Sequence, residues 1–483
     1  MDKDSLKHAA VSGMIWKFIE RCSSQAVGLT VSIVLARLLT PDEFGLVAIT
    51  MIFITLADAF ISSGFGASLV QRGRYDKDEF STMFWAGLMV SMVLYAVLFM
   101  VAPFIGSLYH NPDLSDVLRI LGLRLPLAAY NSIQQAYVTQ QMLFRKFFYS
   151  TLSGTIVSAG AGIYLALTGW GVWALVGQNI VMTVVDMLVL RYLVPWRPVF
   201  VFSWEKFQQL FSFGWRIMLT SFIGTLFDQL RGFLIGICYR PADLAFCNRG
   251  ERIPQTIAGN ISTSVDTVMF ATLSKVKEDK AAFLQGLRKA MRLGSFLVIP
   301  LMAIMAGAAS QFIEILLTRR WLEAAPYMQL ICVQQMFGIL STLNMQSIKA
   351  SGRADICLKL EVWKKPLYFG ILLATMWISP LMMVAGNTFY GLLGLLINAY
   401  PNKKLLNYGF REQWRDVWGN FACGVAVFLL VWGIGYAVEN VYAAFVVQVI
   451  TGLVVYWLFA ILFNLQGYSE LCHCIRNKRG QNG

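Results

Sequence analysis

Charged side chains stand inside long apolar blocks of this sequence, and the densest group runs from Phe246 to Gln255, where Arg249, Glu251 and Arg252 fall within four positions. Arg249 and Arg252 are spaced i and i+3, which puts them on one face of a helix. Two guanidiniums against one carboxylate leave a cationic excess. In a low-dielectric setting that excess is costly unless a ligand or water compensates it. The chemistry to expect is therefore anion binding, and the donor fork of arginine matches phosphate. Arg21, Arg124 and Arg216 are further cations within apolar blocks, and together with Arg249 and Arg252 they form the expected set for an anionic headgroup.

Acids stand in the same blocks. Asp58, Asp228, Glu251 and Asp266 are candidates either for coupling to proton or sodium movement or for structural ion pairs. Asp228 and Arg231 have the i, i+3 spacing of an intrahelical pair. Lys17, Arg119 and Lys349 lie near block ends, from which long side chains snorkel to water. Lys364 and Lys365 precede Pro366, which opens the hydrogen-bond ladder of a helix. Asn131, Gln134, Gln135, Gln178 and Asn179 are able to hydrogen-bond sugar hydroxyls, although single residues of this kind more commonly join helices.

Other chemistries are not expected. The sequence has no Gly-Lys-Ser/Thr phosphate loop, and its three histidines, His8, His110 and His473, stand far apart. His473 between Cys472 and Cys474 lacks a second ligand pair for zinc, so neither a metal site nor a catalytic residue is assigned. Asp76, Lys77 and Asp78 imitate the two-aspartate signature of sugar-nucleotide transferases, but they sit in a short loop and read as a solvated charge cluster.

The elements that must carry these residues follow from composition. The chain has 483 residues, 57% hydrophobic and only 14% charged, with a mean hydropathy of +0.59. A soluble chain carries about 25% charged residues, so a set of soluble domains is excluded. Apolar blocks of about 20 residues match the ~30 Å hydrocarbon layer at ~1.5 Å per helical residue. Fourteen spans are expected, at about 11 to 36, 44 to 66, 80 to 107, 115 to 142, 147 to 168, 171 to 194, 208 to 236, 242 to 273, 285 to 308, 325 to 350, 356 to 378, 386 to 408, 415 to 437 and 441 to 465. The first carries Lys17, Glu20 and Arg21 and lacks a small-residue cleavage site, so it reads as a span and not a cleaved signal.

The net charge of +13 does not point to nucleic acid, because basic residues accumulate in cytoplasmic loops. With fourteen spans, 25 of the Lys and Arg residues fall on the side of both termini, and only Arg37, Arg240, Arg319 and Arg320 fall on the other. Both termini are therefore expected in the cytoplasm. The eight cysteines are scattered without framework spacing and read as small core residues.

The two halves resemble each other. Gly13, Trp16 and Lys17, followed by Thr40, Pro41, Asp42 and Glu43, recur about 200 positions later as Gly214, Trp215 and Arg216, followed by Arg240, Pro241, Ala242 and Asp243. The expected fold is all-α and integral to the membrane, with two six-helix bundles in a pseudo-two-fold arrangement plus two C-terminal helices. The corresponding divisions are an N-terminal lobe at 1–207, a C-terminal lobe at 208–410, two added helices at 411–465 and a cytoplasmic tail at 466–483. Parallel repeats of this kind are a transporter architecture.

The segment from Ala36 to Gly45, with Ala57 and Asp58, Gln71 and Arg72, and Asn111 to Leu114, resembles the polysaccharide flippases of the multidrug/oligosaccharidyl-lipid/polysaccharide exporter superfamily, in the flavour of colanic-acid and teichuronic-acid exporters. Trp321 and the run from Ser351 to Asp355 agree. The resemblance covers almost the whole chain. It implies a bacterial cytoplasmic-membrane protein that carries undecaprenyl-diphosphate-linked sugar repeat units from the cytoplasmic to the periplasmic leaflet by alternating access. No cofactor is expected, the buried acids are the candidates for proton or sodium coupling, and a monomer associated with glycan polymerase or glycosyltransferase machinery is the expected working state. A membrane glycan polymerase or ligase using the same substrate, and a small-molecule exporter, are the alternative readings.

Overall fold

The computed structural model describes the backbone of residues 3–72, 75–276 and 278–470; the side chains of 3–11, 14, 15, 266–268, 270, 271 and 354 lie outside the description, and with them the expectation for Asp266. Among the described residues all regular structure is helical. The first half comprises α1 (Lys3–Leu38), α2 (Pro41–Arg72), α3 (Lys77–Leu108), α4 (Asp113–Gly122), α5 (Arg124–Gln140), α6 (Phe144–Leu167), α7 (Val172–Leu193) and α8 (Trp204–Cys238). The second comprises α9 (Pro241–Lys275), α10 (Lys280–Gly307), α11 (Ala309–Leu317), a 3-10 turn (Arg319–Ala324), α12 (Ala325–Ala350), α13 (Ala354–Thr375), α14 (Pro380–Leu406), α15 (Phe410–Ala437) and α16 (Val441–Leu462).

Local chemistry sets the helix ends. Thr40 donates its backbone N–H to Glu43 Oε2 at 2.7 Å, and Glu43 returns its own N–H to Thr40 Oγ1 at 3.4 Å, a reciprocal cap that starts α2 at Pro41. Two hundred positions on, Arg240 N–H donates to Asp243 Oδ2 at 3.1 Å where α9 starts at Pro241. Asp76 caps α3 and Asp279 caps α10 in the same manner, each accepting from two backbone N–H groups. The sequence repeat is thus a repeat of helix punctuation.

The fourth expected span, 115 to 142, is not one helix. It breaks at Leu123 into α4 and α5, because Pro126 lacks an N–H and its ring would strike the carbonyl four residues back. Helix α4 is amphipathic, burying Leu114, Val117, Leu118 and Leu121 while its charged residues face outward. A comparable short helix, α11, precedes α12. It buries Ile313, and the 3-10 turn that follows buries Trp321. Nine helices among the described residues are long and apolar enough to cross a membrane. Met100, Phe104 and Tyr192, each more than three-fifths exposed, belong to an outer surface that hydrocarbon solvates and water would not. The protein is a multi-pass membrane protein.

The chain packs as two compact units, 1–245 and 246–483. In the N-terminal unit one core gathers Leu35, Ile54, Ile61, Leu121 and Leu125, and another gathers Phe65, Phe80, Phe84 and Trp196. Helix α8 also packs in this unit. A Cβ on Gly214 would lie 2.8 Å from the Gly64 carbonyl oxygen of α2, and one on Gly64 would lie 3.2 Å from that of Gly214, so these glycines let two helix backbones touch. The packing boundary therefore falls one helix later than the repeat boundary drawn at 207. In the C-terminal unit Ala303, Val427, Val431 and Tyr456 form the core between α10, α15 and α16. Asp416 of α15 fastens α10 by accepting from Arg288 at 2.8 Å and Arg292 at 3.0 Å, and it takes the Tyr408 hydroxyl at 2.8 Å.

Candidate functional site

In the N-terminal unit α2, α5 and α7 enclose a cavity of about 240 Å³ whose lining includes Asp58, Arg124, Asn131, Gln135, Asn179 and Asp186. Arg124 Nη2 lies 3.8 Å from Asp58 Oδ2, with 26% and 22% of the two side chains exposed. That is ion-pair range but longer than a hydrogen bond. Asp58 Oδ1 is buried without a hydrogen-bond partner. Asp186 accepts from Asn131 Nδ2 and from Ser150 Oγ, while Asn131 Oδ1 is buried and unbonded. One cation, two carboxylates and orphaned oxygens around a small space form a site that is charged, incompletely satisfied and able to take a polar ligand.

A second cavity of about 510 Å³ in the same unit shares Ser62, Ser132 and Gln135 with the first and extends to Lys17, Gln71, Thr139 and Phe147. Lys17 Nζ sits 3.8 Å from Glu20 and 4.0 Å from the Phe147 ring centroid. It lies between a carboxylate and an aromatic face with about half of its side chain (51%) exposed. Of the three arginines assigned to the headgroup in this unit, only Arg124 lines either cavity. Arg21 is exposed, and Arg216 is exposed beside the Trp215 ring, 6.0 Å from its centroid.

In the C-terminal unit the polar run 246–255 stays helical within α9. Gly250 lets α9 approach the start of α12 closely, since a Cβ there would lie 2.8 Å from the Ala324 carbonyl oxygen and 2.9 Å from the Met328 nitrogen. Glu251 is 7% exposed and accepts from Cys247 Sγ at 3.1 Å and Gln255 Nε2 at 3.2 Å, one turn to either side. Arg249 lies 5.6 Å from the Trp321 ring centroid, a cation–π arrangement, whereas Arg252 is exposed. The two arginines thus stand at i and i+3 of one continuous helix, Arg249 beside an aromatic ring and Arg252 exposed. Asp228 is exposed and Arg231 half-buried on α8.

Sequence reasoning missed the hydroxyls. Ser62, Ser132 and Ser150 carry no hydropathy or charge signal, and Asp186 is one more acid within an apolar block. Its bonds to α5 and α6 become visible only when the helices are packed. Among the described residues no group of three or more His, Cys, Asp or Glu is placed to hold a metal.

Comparisons with known proteins agree with this architecture. The teichuronic acid biosynthesis protein TuaB of Bacillus subtilis is 22% identical over 447 residues, covering 90% of this chain and 91% of its own length. The succinoglycan biosynthesis transport protein ExoT of Rhizobium meliloti is 24% identical, covering 68% and 66%. The solved structure of the lipid II flippase MurJ, in an inward closed conformation, superposes with a TM-score of 0.73 at 14% identity, covering 94% of this chain and 98% of that one. The activities named among these proteins are transport, for the succinoglycan protein, and lipid II flipping, for MurJ. A family model described as polysaccharide biosynthesis protein matches residues 34–326, and the chain belongs to that family of membrane proteins.

Proposed function

We propose that this protein moves a polyprenyl-diphosphate-linked oligosaccharide from the cytoplasmic to the outer leaflet of a bacterial cytoplasmic membrane by alternating access. The observation that carries the reading is the cavity in which Asp58, Arg124, Asn131 and Asp186 converge within helices that are otherwise apolar. A membrane protein keeps ionisable residues at such depth at a cost of a few kcal/mol each, which function repays. The cations proposed for the diphosphate are Arg124, Arg21 and Arg216 of the N-terminal unit and Arg249 and Arg252 of the C-terminal unit. Amide and hydroxyl groups such as Gln135, Asn179 and Ser132 take sugar hydroxyls. The polyprenyl tail stays in lipid.

Fourteen crossings, both termini in the cytoplasm and a monomer that works beside glycosyltransferases complete the proposal. Asp58, with one carboxylate oxygen unbonded, is the acid best placed to exchange a proton or sodium ion as Arg124 leaves it for the diphosphate.

The test is export of the glycan in cells that depend on this protein, comparing Arg252→Ala with Arg252→Lys at equal membrane abundance. The proposal expects Ala to lower export at least tenfold and Lys to retain part of it. Full export by both variants removes Arg252 from the headgroup site.

A further inference from the structure

A second candidate feature lies on α15, in the C-terminal unit. Arg411 and Arg415 are exposed, one turn apart, and neither makes an ion pair among the described residues. The nearby acids are committed elsewhere. Asp416, with 4% of its side chain exposed, pairs with Arg288 and Arg292, and Glu412 Oε2 accepts the Gly409 N–H at 2.9 Å. Lys403 and Lys404 close the preceding helix. The connection between α14 and α15 thus carries positive charge that acids among the described residues do not neutralise, in the place where basic residues mark the water–lipid boundary.

The surroundings favour an amphipathic anion. Trp414 stacks on Phe410 at 5.9 Å and meets Trp418 at 5.6 Å and Phe421 at 5.0 Å, which makes a stiff aromatic wall beside the arginines. Below it the same helix face continues through Trp418, Val425, Leu429 and Trp432, exposed by 55%, 57%, 56% and 44%. Their spacing follows the helical repeat, so a cationic head and an apolar stripe are aligned along one helix. The chain's own segment 471–483 is a poor occupant, since it carries Arg476, Lys478 and Arg479 and no acid.

The geometry points to a bound anionic glycerophospholipid, its phosphate on Arg411 and Arg415, its glycerol against Trp414 and Trp418, and an acyl chain along Val425 and Leu429. Zwitterionic lipid fits less well, because its own cation opposes the arginines.

The test uses the full chain in detergent, with dioleoyl phosphatidylglycerol or dioleoyl phosphatidylcholine titrated in and bound lipid counted by native mass spectrometry. One phosphatidylglycerol is expected, held at least tenfold more tightly than phosphatidylcholine. Arg411→Gln with Arg415→Gln should abolish that preference, and Trp418→Ala should weaken retention of the same lipid. Millimolar sn-glycerol 3-phosphate should not displace it. Equal retention of the two lipids by the unmodified protein overturns the proposal, as does a preference that survives in the double variant. Displacement by glycerol phosphate would show a bare anion site in place of a lipid site.

Discussion

The ion pair between Arg124 and Asp58 gives the sharpest prediction about the N-terminal cavity. At 3.8 Å two unit charges attract by about 4 kcal/mol at an effective dielectric of about 20. Removing both side chains from water opposes most of that gain, and with 26% and 22% of the side chains exposed solvent screens part of what remains. A net coupling of about 1 to 2 kcal/mol is left. Asp58→Asn strands a guanidinium, and Arg124→Gln strands a carboxylate that already has one unbonded oxygen. Each single variant should lose about 2 kcal/mol, and the double variant should lose about 1 to 2 kcal/mol less than the sum. Reversible unfolding in mixed micelles of detergent and sodium dodecyl sulfate, followed by tryptophan fluorescence, reads all three. Additive losses, equal to the sum within about 0.5 kcal/mol, would refute the pairing and with it the picture of Arg124 as a cation held in reserve.

Trp321 is fully buried and carries Arg249 on its face, so Trp321→Ala should cost about 3 to 5 kcal/mol, while Trp321→Phe should recover most of the loss in the same unfolding assay. Gly250→Val should separate α9 from α12 and cost about 1 to 3 kcal/mol, with cysteine crosslinking between the two helices as the readout. Asp76 lies outside the spans and accepts from Lys206 Nζ at 2.9 Å. That hydrogen bond, with lesser help from the N–H groups of Asp78 and Glu79, holds its carboxyl below the usual carboxylate range. Its pKa is depressed on folding, so the stability it supplies is present above about pH 4 and is lost as pH falls through the folded value. Asp76→Asn should flatten that acid-side loss in a titration of stability against pH, and an undiminished slope would remove Asp76 as its source.

Much of this was legible in the residues. The Thr40–Pro41 and Arg240–Pro241 junctions and the basic loops mark helix ends by local chemistry that needs no partner, whereas Asp76, read as a solvated charge, proves to cap α3 and to bond Lys206. The break at Leu123 was also written in the sequence, in Pro126, but hydropathy averaged over a window hides one residue. What a single chain does not display is which helix lies against which. Arg249 and Arg252 look alike at i and i+3, yet Trp321, about seventy positions away, captures one and leaves the other open. Asp186 is unremarkable beside Leu188 and Leu190 until α5 and α6 supply Asn131 and Ser150. Likewise Gly64 and Gly214 are silent until their helices meet, and that contact places α8 with the first packing unit.

The most direct test of transport is reconstitution of the purified protein into vesicles carrying a polyprenyl-diphosphate oligosaccharide with a fluorescent sugar, whose outer-leaflet fraction is quenched by a membrane-impermeant reductant. The account predicts that the protein moves the inner-leaflet fraction into reach of the reductant within minutes, and that a variant combining Arg124→Gln, Arg249→Gln and Arg252→Gln, folded and inserted as the parent, leaves it protected. Labelled lipid that stays protected with the unmodified protein, or crosses equally fast with the triple variant, would contradict it.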